Sequence, residues 1–168
     1  MKLSDLNARS TDQFLDIIGG PLEGERWLAE RIVKRRPFSS IEALFEVFSQ
    51  VILGASEAEK IQLIASHPDL APEVGTSLST ASVQEQASAG LDTLTTEEYA
   101  MFNRLNTQYR ERFNFSFVIC AREHNKSSIL AHFQQRLQHT RAQEIEIGIV
   151  EVLKIIQLRL HDLIEITE

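Results

Sequence analysis

Cysteine occurs once in the 168 residues, at Cys120. That leaves no partner for an intramolecular disulfide and no thiolate set for a metal cluster. No apolar run approaches the roughly 20 residues that cross a bilayer, so no membrane role is expected. Gly-rich phosphate loops and Gly-x-Ser-x-Gly elbows are absent too, which removes the usual signatures of nucleotide binding and serine hydrolysis. Positive charge is in the minority: the formal net charge is −7. That argues against a phosphate-backbone surface and hence against nucleic acid as a partner, although one well-placed arginine can still hold a small anion. His124, His132, His139 and His161 lack metal-ligand spacing with Cys or carboxylates, so no metal is expected. Met1–Asn7 contains no apolar stretch of the length a signal peptide needs. The expectation is a cytoplasmic chain in which the glycosylation patterns at Asn114 and Asn125 are chance matches.

What is present is ordinary for a soluble globular protein, with 43% apolar and 24% charged residues and enough length for one sizeable core. No repeat, low-complexity tract or linker divides the chain, so residues 1–168 are expected to form a single domain. Ser10-Thr11-Asp12-Gln13 reads as a helix start, and Gly19-Gly20-Pro21 as its end. A second helix is expected from about Glu25 to Arg36, with its basic end suiting the helix dipole and Pro37 stopping it. Ser39 or Ser40 caps a third, carrying Ile41, Leu44, Phe45, Phe48 and Ile52 at helical spacing and closing at Gly54. Ser56 opens a fourth. Residues Asp69 to Ser82 read as loop, followed by a short helix from about Ser82 to Ser88. Thr96 to about Phe113, Lys126 to Gln138 and Ala142 to Ile166 complete the set. The fold class is therefore all-α, a single-domain helical bundle of about seven or eight helices, with one exception.

The exception is a short extended aromatic segment. Phe113, Phe115, Phe117 and Ile119 alternate with Asn114, Ser116 and Val118, a period of two. A lone strand lacks a ladder, so its N–H and C=O groups must find side chains, water or a ligand. It is either a buried connector or a pocket wall that offers backbone hydrogen bonds. The last helix holds a second anomaly: Arg159 points with the stripe Ile145, Ile149, Val152, Ile156 and Leu163. Its guanidinium either snorkels outward over a packed stem or reaches an anion in a pocket.

Three further residues can carry chemistry. His67 precedes Pro68, which drives it out of the α region at the exit of the fourth helix. A titratable ring fixed in direction there suits proton transfer, and it is also a common kind of loop residue. Ser82-Val83-Gln84-Glu85 has the spacing of a capping box, or else presents Glu85 as an acid or base on the first turn of a helix. Cys120, inside Phe117-Val118-Ile119-Cys120-Ala121, reads as a buried thiol rather than a nucleophile.

Taken in order, Ser66-His67-Pro68-Asp69-Leu70-Ala71, Ser82-Val83-Gln84-Glu85-Gln86, Ala89-Gly90-Leu91, Leu105-Asn106 with Tyr109, Phe113–Ala121 and Arg159-Leu160 resemble a known family. That family is the 2-oxo-4-hydroxy-4-carboxy-5-ureidoimidazoline (OHCU) decarboxylases of urate breakdown. The resemblance runs over almost the whole chain. It implies an all-α homodimer that decarboxylates OHCU to (S)-allantoin without a cofactor. It also implies His67, Glu85 and Arg159 as catalytic residues. Substrate would be bound by Pro68, Ser82, Glu85, Gln86, Phe117, Val118, Ile119, Cys120, Ala121 and Arg159. The family's usual Phe-Gly-Phe-Pro-Phe is here Phe113-Asn114-Phe115-Ser116-Phe117, and Asn tolerates unusual backbone angles better than most residues.

Such a substrate resembles a β-imino acid. Carbon dioxide can leave while its electron pair flows into a neighbouring C=N, so no added electron sink is required. The protein would supply orientation, charge stabilisation and one proton on one face. The competing class is a non-enzymatic all-α interaction module. In that reading His67 is a helix-exit residue, Ser82 and Glu85 a capping box, and Arg159 a snorkelling side chain.

Overall fold

The computed structural model describes residues 1–20, 22–23 and 25–165. Among them are nine α-helices: α1 (Leu3–Ala8), α2 (Thr11–Gly19), α3 (Arg26–Val33), α4 (Ile41–Leu53), α5 (Glu57–Ala65), α6 (Thr80–Ser88), α7 (Thr96–Phe113), α8 (Lys126–Arg136) and α9 (Arg141–Leu163). One 3-10 turn spans Ala121–Glu123, and no strand forms among the described residues. The all-α expectation holds. Internal contacts gather the chain into two compact units, Met1–Lys60 with Leu153–Glu168, and Ile61–Val152.

In the first unit the caps expected from sequence do their work. Ser10 and Gln13 form a reciprocal capping box at the start of α2, and the Ser40 side chain accepts from Ala43 N–H at the start of α4. The expected end of α2 at Gly19-Gly20 is found, whereas Pro21 lies outside the described residues. Helix α3 is shorter than expected at both ends. Past Val33 the chain turns, and the Arg36 guanidinium lies over the Phe14 ring at 5.0 Å while donating to Arg9 O at 2.6 Å. Helix α1 has no sequence counterpart, because six residues with one buried anchor, Leu6, are too short to show a period. The chain after Pro37 is held by Asn7, whose side chain donates to Phe38 O at 2.8 Å and accepts from Phe38 N–H at 2.9 Å. Phe14, Ile18, Leu28, Ile32, Leu44, Phe48 and Ile52 are wholly buried, as are Ile156, Leu160 and Ile164.

In the second unit, α7 starts and stops where the sequence predicts, capped by Thr95 and ended by Asn114. Asn114 is left-handed, with φ 62° and ψ 30°, and its N–H donates to Arg110 O. Asparagine thus takes the conformation that a glycine adopts at low cost. Helix α6 begins at Thr80, earlier than expected, because Ser79 and not Ser82 is its cap: the Ser79 side chain accepts from Ser82 N–H at 3.1 Å. The capping-box reading of Ser82 and Glu85 is therefore overturned. The segment between Asn114 and the 3-10 turn carries no helix or strand, and its expected strict alternation fails after Ser116. Phe117, Val118, Ile119, Cys120 and Ala121 are all buried. Helix α9 runs from Arg141 to Leu163, and the expected end at Ile166 lies outside the described residues.

Candidate active site

His67 sits two residues past α5, with its backbone N–H still bonded to Ile64 O at 3.2 Å. The ring is 5% exposed, and Nδ1 is 2.9 Å from Leu63 O. A carbonyl can only accept, so Nδ1 is assigned the hydrogen, which leaves Nε2 as the lone-pair nitrogen of the neutral ring. Proline thus sets the backbone and the last turn of α5 sets the ring.

The chain after His67-Pro68 has no ladder, so side chains from α6 and α7 hold it. Gln86 accepts from Ala71 N–H at 2.9 Å and donates to Asp69 O at 3.0 Å. Asn106 donates to Leu70 O at 2.8 Å, and Tyr99 Oη donates to Pro72 O at 3.2 Å. Arg110 pairs with the Asp69 carboxylate. Ala71 is left-handed at φ 47°, a strained position for a non-glycine residue that these four side chains hold in place. Asn106 was visible in sequence as part of the Leu105-Asn106 motif. The roles of Asp69 and Arg110 have no local signal, since they lie 41 positions apart.

Ser82, Glu85 and Gln86 share the first turns of α6, with Ser82 and Gln86 buried and Glu85 half-buried. Helix α6 packs on the 3-10 turn that follows Cys120. His67, Pro68, Ser82, Glu85, Gln86 and the Phe117–Ala121 segment all belong to the second unit. The same unit holds an apolar cleft of about 290 Å³, lined in part by Ala71, Pro72, Val83, Gln86 and Tyr99, and of the expected site residues only Gln86 lines it.

Arg159 belongs to the first unit. It does not snorkel: the residue is 5% exposed, and Nη1 donates to Glu23 Oε1 at 2.7 Å. Glu23 is itself left-handed at φ 51°. Burying a guanidinium is tolerable here because a carboxylate is buried with it. Nothing in the local sequence marked Glu23, which is 136 positions away.

A second buried ion pair, also unmarked in sequence, underlies the aromatic segment. Glu144 is wholly buried and accepts from Arg136 Nε at 2.7 Å and from Tyr109 Oη at 2.6 Å, and His139 Nδ1 lies 2.9 Å from its other oxygen. Burial, followed by the bond to Glu144, pushes the Tyr109 phenol far above its ordinary range. No group of three or more His, Cys, Asp or Glu residues suited to a metal ion occurs among the described residues. No described helix is long and apolar enough to cross a membrane.

These features define an all-α protein with a buried histidine at a side-chain-braced helix exit. The family model for OHCU decarboxylase matches residues 7–161. The 2-oxo-4-hydroxy-4-carboxy-5-ureidoimidazoline decarboxylase of Haloferax volcanii is 38% identical over 160 residues, covering 95% of this chain and 94% of the relative. That of Amia calva is 38% identical over 167 residues, covering 98% of this chain and 95% of the relative. A crystal structure of (S)-allantoin synthase matches with a TM-score of 0.79 at 27% identity, covering 98% of this chain and 54% of the other, so the chain spans about half that structure's length. The chain belongs to the OHCU decarboxylase family. The enzyme reading therefore displaces the interaction-module reading.

Proposed function

We propose that the protein is a carboxy-lyase that converts OHCU to (S)-allantoin in urate degradation. Family membership across residues 7–161, spanning both compact units, is the observation that carries this reading. The same span supports treating residues 1–168 as one OHCU decarboxylase-like domain. In this proposal the enzyme works as a homodimer in the cytoplasm and uses no cofactor.

His67 and Glu85 are assigned as the proton-handling pair acting on the ring hydroxyl and the neighbouring carbon. The donor bond from Nδ1 to Leu63 O supports Nε2 as the reacting nitrogen. The carboxylate C–C bond breaks, carbon dioxide departs, and the electron pair enters the adjacent C=N. The hydroxyl of the vacated carbon then gives up its proton as that carbon becomes the ring carbonyl. One proton is delivered on a single face to the neighbouring carbon that bears the ureido group. Backbone groups of Phe117, Ile119 and Ala121 hydrogen-bond the ring amide edge, with Pro68, Ser82, Gln86, Val118 and Cys120 around it. Arg159 binds oxygens of the ureido or ring carbonyl part. Its buried bond to Glu23 supports a fixed donor fork rather than a mobile surface cation.

The test is to generate OHCU in solution from urate with urate oxidase and hydroxyisourate hydrolase, then follow circular dichroism. Added protein should accelerate formation of the (S) enantiomer beyond the spontaneous, racemic decay. A trace that matches the spontaneous decay would overturn the proposal.

A further inference from the structure

We infer that Arg136, anchored by Glu144, is a positioning residue that aims the Ile119 N–H at the substrate. The inference deepens the proposed function and rests on its assignment of the Phe117–Ala121 segment as the substrate wall.

Arg136 is 3% exposed and contacts the segment twice. Its Nη1 donates to Val118 O at 2.7 Å, and its guanidinium carbon lies 4.2 Å from the centre of the Phe117 ring. That ring is also stacked on Phe133, with centroids 3.6 Å apart and planes 14° from parallel. The Val118 carbonyl and the Ile119 N–H belong to one planar trans peptide, so they point in opposite directions. Fixing the oxygen against Arg136 therefore fixes the hydrogen, aimed away from Arg136.

Two observations suggest that this N–H is kept for something outside the protein. Ile119 is 3% exposed, yet its N–H makes no hydrogen bond among the described residues. A buried backbone donor is normally satisfied, and one left over in a non-helical segment fits a ligand acceptor. Arg136 itself is held more firmly than a carbonyl contact requires. Glu144 takes its Nε while also accepting from Tyr109, so the guanidinium plane is set from behind. A second arginine secures the start of the segment: Arg141 Nε donates to Phe113 O at 3.0 Å.

A donor that meets the ring amide equally in the ground and transition states affects KM more than kcat. Arg136→Lys keeps the charge but loses the planar fork that joins Glu144 to Val118 O. We expect a folded protein with KM raised roughly tenfold, the equivalent of one lost hydrogen bond, and kcat within about twofold. Tyr109→Phe removes one of the bonds to Glu144 and keeps the ring, so it should raise KM by a smaller factor in the same pattern. It also decides the matter if Arg136→Lys fails to fold. Unchanged KM in a folded variant, a fall in kcat alone, or failure of both variants to fold would each overturn the inference in favour of a purely structural role. Absence of activity in the unmodified protein would instead overturn the proposed function, so the two failures are distinguishable.

Discussion

The Arg159 guanidinium meets the Glu23 carboxylate at 2.7 Å, with side chains only 4% and 11% exposed. Removing one partner leaves the other charged and out of water, whereas replacing both with apolar groups does not. Glu23→Ala should lower the unfolding free energy by about 3 kcal/mol, and Glu23→Leu combined with Arg159→Met should recover much of that loss. Urea unfolding of the three proteins checks this, and a single-variant loss under about 0.5 kcal/mol would contradict a buried pair. Arg159→Lys should separately weaken substrate binding, seen as a raised KM.

His67→Asn tests the proton-handling role with little change of shape. The asparagine amide can still donate to Leu63 O, so far-ultraviolet dichroism and the unfolding midpoint should stay close to those of the parent. Turnover of OHCU should fall by at least about 100-fold, as for loss of a general acid or base. A folded variant that retains its rate would remove His67 from the mechanism.

Gln86 bridges two peptide groups of the chain that leaves His67, so its loss is felt as disorder there rather than as global unfolding. Gln86→Ala strands Ala71 N–H and Asp69 O, each at a cost of about 1–3 kcal/mol if water cannot replace the bond. Hydrogen exchange at the Ala71 amide should accelerate more than exchange in α7, and kcat should drop. Uniform acceleration across both would mean that Gln86 is a general core residue.

Glu59 contributes to acid stability. Glu59 is bonded to Arg31 and accepts from Ser56 N–H at 3.0 Å, and the Arg31 bond is the larger reason its carboxyl is held down at about 2 against an ordinary 4.5. A depressed carboxyl contributes stability above about 4.5 and loses it as pH falls through about 2. Glu59→Gln should therefore flatten the stability profile in that window and leave it unchanged in shape near neutrality. The pair is exposed, so added salt should shrink the difference.

Where local signals agree with one another, the fold was legible in sequence. Helix α7 combines a Thr95 cap, acidic residues in its first turn, basic ones in its last and a left-handed Asn114, and both its ends were predicted. The end of helix α6 at Ser88 was predicted, but its start was placed two residues late. Ser77, Ser79, Thr80 and Ser82 all offer caps, and local chemistry alone does not choose among them. The residues around the candidate site divide in the same way. His67 was visible because proline acts on its neighbour. Glu23, Arg136 and Glu144 were not, because a buried charge is recognised only by a partner that the fold supplies. The Phe117–Ala121 segment lost its alternation for a related reason: a stretch buried on both faces has no polar face to alternate with.

Tyr109 has a practical consequence. Its raised phenol keeps a proton that an exposed tyrosine would give up near 10, so the bond to Glu144 contributes stability below that pH and loses it in stronger alkali. The chain has only two tyrosines. Ultraviolet absorbance of the phenolate in alkaline solution thus becomes a built-in optical gauge: the Tyr109 share of the signal should appear only when the Arg136–Glu144 anchor opens. Stopped-flow mixing into alkali would then time the release of the aromatic wall, with no label attached to the protein.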